Sequence, residues 1–334
     1  GPLEPLRQRL ADAAAGFHPW PPAAAVLLPF LVGLVLMPLF IGLLARAGMG
    51  QRIREEGPSS HLAKGGTPTA GGLAVILLLL LGLLMIDRRP EVLPVLAALV
   101  LGAALGLVDD LATVRGQARG LRARQRIVVQ AGIGLVIGYL LLRAGADAQL
   151  VPVIGTWQMG WLVVPAAALA LVAAANAFNL TDGSDGLAPG VMVVVAVVLA
   201  LMVRAHDNDV ALVRLLLVTA GALLAFLAYN LPPARVFLGG VGSEGLGMLL
   251  AAAAIAGGLM WFLPLLAIVP VLETLSVIIQ VYFFRTTGRR VFRMSPLHHH
   301  FQLGGWSEWT VALSAWATSS LAGTISLLLV RRPA

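Results

Sequence analysis

The chain has 334 residues, of which 59% are hydrophobic and only 12% are charged, and its mean hydropathy is +0.90. Soluble domains carry about 25% charged residues, so this composition excludes a soluble globular protein and predicts a chain that crosses the bilayer many times. The net charge of +7 comes almost wholly from Arg, which in a membrane protein is typical of cytoplasmic loops rather than of nucleic-acid binding, and the absence of Cys excludes disulfides and thiolate metal sites.

Apolar runs predict ten membrane-spanning helices, an all-α fold and one transmembrane catalytic domain over residues 1–334. The segments lie near 23–45, 70–86, 92–108, 126–142, 161–177, 187–203, 211–229, 245–259, 261–283 and 309–330. Residues 1–22 are an N-terminal extension in which Gly1-Pro2 is interpreted as a protease-cleavage remnant. No signal peptide is predicted, because the first apolar run is long enough to span and lacks a clear cleavage site.

Basic residues predict the orientation of these segments. The loops after segments 1, 3, 5, 7 and 9 contain 14 of the 23 basic residues, namely Arg46, Arg52, Arg54, Lys64, Arg115, Arg119, Arg122, Arg124, Arg126, Arg235, Arg285, Arg289, Arg290 and Arg293. The positive-inside rule makes this side cytoplasmic and, with ten spans, places both termini outside.

The notable polar clusters fall on the same predicted side. They are "LGLVDDL" after segment 3, "NAFNLTDGSD" after segment 5, "NLPPARVFLGGVGSEGLG" after segment 7 and "SPLHHHFQLGGWSE" after segment 9. A transporter places polar groups near the bilayer midplane, so this one-sided pattern favours chemistry on a cytoplasmic substrate.

Each cluster also has a simpler interpretation. Asp109 and Asp110 could be a solvated helix end, and adjacent helical residues point about 100° apart, so the pair would perform two tasks. Asp182 and Asp185 could form a turn, the three consecutive His residues could bind metal or be a surface feature, and "GGVGS" could be a flexible loop. Together, however, carboxylates that suit Mg²⁺, cationic groups for phosphate and Asn for sugar or base edges favour phosphoryl transfer with a nucleotide leaving group.

Seven stretches carry a family resemblance across most of the chain. They are "GPSSHLAKGGTPTAGG", "LGLVDD", "GLRARQR", "NAFNLTDGSDGLA", "VFLGGVGS", "ETLSVIIQV" and "GRRVFRMSPLHHHFQLGGWSE". On these motifs the chain resembles the polyprenyl-phosphate N-acetylhexosamine-1-phosphate transferases. Within them, "TPTAGG" and "PLHHHF" resemble the bacterial phospho-N-acetylmuramoyl-pentapeptide-transferases.

The resemblance implies a function and a location. Enzymes of this family transfer phospho-MurNAc-pentapeptide from UDP to undecaprenyl phosphate with Mg²⁺, which releases UMP and gives lipid I for peptidoglycan. It further implies ten spans in the bacterial inner membrane, an active site facing the cytoplasm, uridine-based nucleoside inhibitors, a homodimer, and no nucleic-acid partner.

The resemblance also implies residue roles. The catalytic positions are Asp109, Asp110, Asp182 and His298. The resemblance also implies that the three Asp residues lie near the metal. The substrate-binding positions are Lys64, Thr69, Asn176, Asn179, Gly183, Ser184, Asp185, Asn230, Phe237, Gln280, His299 and His300, with Phe237 implied to stack on the uracil.

One position departs from the family pattern. The family reads F-x-G-D-V-G-S where this chain has "FLGGVGS", so Gly240 replaces the implied Mg²⁺ ligand. We interpret Gly240 as an inactivating substitution at an exposed loop; natural divergence and a ligand supplied by Glu244 are the alternatives. Competing functions are a UDP-GlcNAc:undecaprenyl-phosphate GlcNAc-1-phosphate transferase, an inactive binding protein and a transporter of lipid-linked sugar.

Overall fold

The computed structural model describes residues 21–50, 65–83, 90, 92–114 and 122–330. The helices in chain order are α1 (Pro22–Arg46), α2 (Gly72–Gly82), α3 (Val92–Val114), α4 (Ala123–Arg143), α5 (Val163–Thr181), α6 (Leu187–His206), α7 (Val210–Asn230), α8 (Gly239–Ala256), α9 (Leu263–Leu266), α10 (Ile268–Thr287), α11 (Leu297–Gln302) and α12 (Glu308–Leu329). A two-stranded antiparallel hairpin of β1 (Ala148–Val151) and β2 (Gly155–Gln158) joins α4 to α5.

The predicted helical membrane fold is confirmed. Within the described ranges, nine helices are long and apolar enough to span a membrane, and the shorter α2 lies in the second predicted segment. The hairpin was not predicted. It is fixed by the buried side chain of Gln149, which donates to the carbonyls of Ala146 (2.9 Å) and Ile255 (2.8 Å) and accepts from the Met260 amide (3.0 Å).

Two of the predicted boundaries that were wrong concern the site. Helix α3 continues to Val114, so Asp109 and Asp110 lie inside the helix rather than at its end. Helix α8 begins at Gly239, so "GGVGS" forms its first turns and is not a loop. Gly240 is buried, and the expectation of an exposed position was therefore wrong.

Helix α8 is the central element of the fold. Nearly all of its residues are buried, and it packs between α3 and α5. Small residues permit this, since glycine and alanine let helix backbones approach closely. A Cβ on Gly106 of α3 would overlap the carbonyl group of Gly240, so the two backbones are in contact at the point where α8 begins.

Helix ends from distant parts of the chain meet around the start of α8. The ends of α3 and α5 meet the start of α8, and the loop after α5 contacts the end of α7 and helix α11. We call this the site end of the molecule. The hairpin lies at the opposite end, where the Leu150 amide donates to the carbonyl of Gly258, just after α8 (2.7 Å).

Candidate active site

The carboxylate of Asp110 caps the N-terminus of α8. Its Oδ1 accepts a hydrogen bond from the Gly240 amide (2.8 Å), and its Oδ2 accepts one from the Val241 amide (3.0 Å). The first amides of a helix have no partner within the helix, and its positive dipole end favours a carboxylate there. Asp110 therefore links α3 to α8 through two hydrogen bonds between its carboxylate and backbone amides.

Asp109 points to a different neighbour, as expected for adjacent helical residues. Its Oδ2 lies 3.4 Å from Nη1 of Arg126, and Nη2 of Arg126 lies 2.8 Å from Oε1 of Glu244. Gln130 donates to the other Glu244 oxygen (2.9 Å). Glu244 is 0% exposed and already has Arg126 as its counter-ion, which argues against Glu244 as a substitute ligand for the position of Gly240.

The two Asn residues of α5 also make contacts within the protein. The Asn176 amide donates to Oε1 of Gln130 (2.6 Å) and to the carbonyl of Val172 (2.8 Å). The Asn179 amide donates to the hydroxyl of Ser243 in the first turns of α8 (3.1 Å). Asn176 therefore extends the Arg126 network, and Asn179 joins α5 to α8 beside Asp110; substrate contact by either stays a prediction.

Asp182 follows the last residue of α5 and is half-buried. Burial raises the pKa of Asp182 well above its ordinary value, and the carboxylates of Asp110 and Asp185 raise it further against the opposing effect of the Gly239 amide. Two carboxylates that face each other in a partly dry site favour a proton or a cation between them.

The turn after Asp182 is tied to the loop that carries Phe237. Oδ2 of buried Asp185 accepts from the Ala234 amide (2.8 Å). Buried Asn230 accepts from the Gly186 amide (2.9 Å) and donates to the carbonyl of Val236 (2.8 Å). Asp185 and Asn230 therefore join the turn after Asp182 to the loop that carries Phe237, and their contact with uridine stays a prediction.

Phe237 itself is held by its backbone. Its amide donates to the carbonyl of Pro68 (2.8 Å), and its carbonyl accepts from the Gly71 amide (2.9 Å). Its side chain remains half-exposed, as a stacking surface requires. Thr69, which follows Pro68 in the chain, is buried, and its amide donates to the carbonyl of Met49 (2.8 Å). Lys64 lies outside the described residues.

The three consecutive His residues have different partners. His298 is 1% exposed, and its ring packs on Gly183, where any added Cβ would overlap Nε2. Nδ1 of His299 lies 3.0 Å from Oε1 of Gln302, whose amide donates to the hydroxyl of Ser184 (3.0 Å). Nδ1 of His300 accepts from the Arg293 amide (3.1 Å). This distribution does not favour a metal-binding tract.

Gln280 holds the segment before α11 in place. Its Oε1 accepts from the amides of Val291 (3.0 Å) and Phe292 (2.9 Å). It also lines a cavity of about 530 Å³ together with Arg285 and Arg290. The two arginines give the lining of this cavity a positive charge, and substrate contact by Gln280 stays a prediction.

Sequence reasoning did not single out three residues of the site. Glu273 contacts His298, Gln302 links His299 to Ser184, and Arg126 joins Asp109 to Glu244. Each lies within a motif quoted above. For Glu273 a physical signal was also present, because a carboxylate within an apolar membrane-spanning helix marks a functional or paired position.

The donors at the start of α8 are of the type that Mg²⁺ prefers. Asp110 and Asp182 supply carboxylate oxygens, and Mg²⁺ is commonly held by one or two carboxylates together with substrate phosphates. In the part of the chain that the structure describes, however, no three His, Asp or Glu side chains are grouped to hold a metal by themselves. Gly240, which lies against Asp110, contributes no side chain.

Known proteins are similar to this chain over most of its length. The family model described as glycosyl transferase family 4 matches residues 92–258, from the start of α3 to just after α8. A phospho-N-acetylmuramoyl-pentapeptide-transferase of Moorella thermoacetica is 45% identical over 91% of this chain and 97% of that protein. Similar proteins of that name from Geobacillus and from Desulforudis audaxviator are each 42% identical over 89% of this chain and cover 94% and 95% of those proteins.

The fold and the site thus define a multi-pass membrane transferase of the bacterial inner membrane, with a glycosyl transferase family 4 core. More narrowly, the chain belongs to the phospho-N-acetylmuramoyl-pentapeptide-transferase family. Enzymes of this class are phosphoglycosyl transferases, which are generally metal-dependent.

Proposed function

We propose that this protein transfers phospho-MurNAc-pentapeptide from UDP-MurNAc-pentapeptide to undecaprenyl phosphate, a membrane step of peptidoglycan synthesis. Two observations support the proposal: the carboxylates of Asp110 and Asp182 lie close enough to interact at the start of α8, and the ring of His298 packs on Gly183, next to Asp182. This cluster lies at one end of a membrane bundle, where a lipid and a water-soluble nucleotide can both arrive.

In the proposed reaction a phosphate oxygen of the lipid attacks the sugar-bearing phosphorus of the nucleotide. One P–O bond forms and the P–O bond to UMP breaks, so the products are UMP and a lipid-linked diphosphate. Catalysis of such a transfer depends on position and on neutralised charge. Any proton on the lipid phosphate must leave first, and Asp109 and Asp110 are the carboxylates that the resemblance assigns to it.

Mg²⁺ is the proposed cofactor, and Asp110 and Asp182 would hold it together with phosphate oxygens of the nucleotide. When bound, it neutralises negative charge on the phosphate that is transferred. Because Gly240 has no side chain, this set lacks one ligand that the resemblance implies. We therefore propose that the chain keeps its affinity for the nucleotide but has a low rate of turnover.

UMP release from UDP-MurNAc-pentapeptide, with undecaprenyl phosphate and Mg²⁺, tests the proposed function. The parent chain and Gly240→Asp are assayed side by side, and UDP-GlcNAc replaces the nucleotide in a parallel reaction. Release from UDP-GlcNAc alone would identify the GlcNAc-1-phosphate transferase instead. Flux of lipid-linked sugar across proteoliposomes without UMP release would favour the transporter.

Phe237→Ala is expected to weaken nucleoside binding. Stacking of a base on an aromatic ring contributes about 1–3 kcal/mol by alanine substitution, and the half-exposed ring of Phe237 offers such a surface. Calorimetry with a uridine-based inhibitor measures the effect without any turnover. Phe301→Ala is a matched control, because Phe301 stacks on Trp306 at the exposed end of α11. Equal affinity of Phe237→Ala and the parent chain would contradict the uracil contact.

Labelling of single Cys variants tests the proposed cytoplasmic orientation. The chain has no Cys, so Val153→Cys at the hairpin tip, which is 90% exposed, and Arg289→Cys at the exposed site end each give one thiol. We expect a membrane-impermeant maleimide to label Val153→Cys from outside intact cells, and Arg289→Cys only in inverted vesicles. The reverse pattern would refute the orientation.

A further inference from the structure

A buried carboxylate lies directly against the buried histidine of the site. Glu273 of α10 is 5% exposed and His298 of α11 is 1% exposed. Nδ1 of His298 lies 3.3 Å from Oε2 of Glu273, and the His298 amide donates to both oxygens of Glu273 at 3.2 Å. The same carboxylate thus contacts the backbone and the ring of one residue.

The opposite edge of the His298 ring faces the site. Nε2 packs on Gly183, next to Asp182. Neither ring nitrogen makes a well-aligned hydrogen bond among the described residues, but Nδ1 has the Glu273 carboxylate at 3.3 Å, whereas no such partner lies beside Nε2. A buried ring nitrogen without a partner is costly unless a ligand supplies one. Nε2 is therefore the ring atom of His298 that faces the turn after Asp182, where substrate is proposed to bind.

The tautomer of a histidine is set by the hydrogen bond that its other ring nitrogen makes. Next to a carboxylate, Nδ1 carries the proton, which leaves the lone pair of a neutral ring on Nε2. Glu273 is stabilised in turn, because an isolated carboxylate in a membrane-spanning helix is energetically costly, and Nδ1–H and the backbone amide of His298 are donors that face it.

We propose that Glu273 is a positioning residue that fixes His298 in the Nδ1-protonated form, with Nε2 directed over Gly183 toward the nucleotide diphosphate. Glu273 touches no substrate and acts through His298. The function of Nε2 toward the diphosphate rests on the proposed function, whereas the pairing of Glu273 with His298 does not.

Nitrogen-15 NMR of histidine-labelled protein at neutral pH tests the pairing in the chain as it stands. The His298 signals are assigned by their loss in His298→Gln. We expect a protonated Nδ1 and an unprotonated Nε2 in the parent chain. In Glu273→Gln the amide can donate to Nδ1, so the proton should move to Nε2. A parent spectrum with a bare Nδ1 would overturn the proposal, even if Glu273→Gln does not fold.

Activity gives the second readout, in the Gly240→Asp background. Loss of a partner that orients a functional histidine typically lowers activity by about 10–100-fold. Glu273→Gln should lower kcat by that factor with little change in KM for the nucleotide. Ser276→Ala is the control, since this buried hydroxyl on the same helix donates to the backbone carbonyl of Glu273 (2.6 Å) and not to its carboxylate.

The two readouts separate the two hypotheses. An Nδ1-protonated His298 in a protein that releases no UMP would refute the proposed function and keep the pairing. A tautomer that does not respond to Glu273→Gln, or an equal loss of kcat in Ser276→Ala, would refute the positioning by Glu273.

Discussion

Gly240→Asp is expected to raise Mg²⁺-dependent UMP release by at least about 10²-fold, the factor that a misplacement of about 1 Å can cost in rate. A Cβ at this position would lie 3.2 Å from Oδ1 of Asp110 and 3.0 Å from the carbonyl oxygen of Gly106. The new carboxylate would thus join Asp110 and Asp182 at the start of α8 and add a third oxygen ligand to the proposed Mg²⁺ site.

The same substitution should make stability depend on Mg²⁺. Gly240 is buried and in contact with the α3 backbone, so the added side chain must displace its neighbours slightly, and its charge lies beside Asp110. Without metal, Gly240→Asp should therefore unfold at a lower temperature than the parent chain. A ligand that binds only the folded state stabilises it by about 2.7 kcal/mol at 100 times its Kd, so Mg²⁺ should reverse the loss.

Gly240→Asn is the matched control, because it adds the same volume without the charge. We expect it to keep the steric cost and to gain neither turnover nor Mg²⁺-dependent stability. If the parent chain already turns over at the rate of Gly240→Asp, the metal role carried over to this position is wrong here.

Hydropathy was sufficient to locate the spans, because a bilayer requires about 20 apolar residues whatever their partners are. Hydropathy did not predict where α8 begins. The run "GGVGS" has the composition of a flexible loop, yet its glycines serve the close contact of α8 with α3. Glycine is used both in loops and at tight helix contacts, and only the partner helix distinguishes the two.

The candidate site shows a similar limit. The motifs located the acidic residues and the His run, but not the partners of their side chains. The Asn176 amide contacts Gln130, and the Gln280 amide contacts the backbone of residues 291 and 292. Such partners lie on other helices or beyond a turn, so local spacing does not reveal whether a polar side chain faces substrate or holds two helices together.

Arg126→Leu is expected to lower the stability of the protein strongly, because it removes the counter-ion of a buried carboxylate. Glu244 is fully buried in α8, and Arg126 is its charged partner at 2.8 Å. Removal of one partner of a buried ion pair typically costs about 3–5 kcal/mol, because the remaining charge is left in a dry environment. The unfolding midpoint in detergent measures the loss, and Arg124→Leu, at an exposed position of the same helix, should change stability by no more than about 0.5 kcal/mol.

The double variant Arg126→Leu/Glu244→Gln separates charge from packing. The amide of Gln can still accept the hydrogen bond that Gln130 now gives to Glu244 (2.9 Å), while no charge remains in α8. Replacement of a whole buried pair is often neutral, so the double variant should recover most of the stability lost in Arg126→Leu. Glu244→Gln alone should be milder than Arg126→Leu, because Arg126 is 16% exposed and keeps Asp109 at 3.4 Å. If Arg126→Leu is as stable as Arg124→Leu, or the double variant is as unstable as Arg126→Leu, then the charge of Glu244 is not what Arg126 compensates.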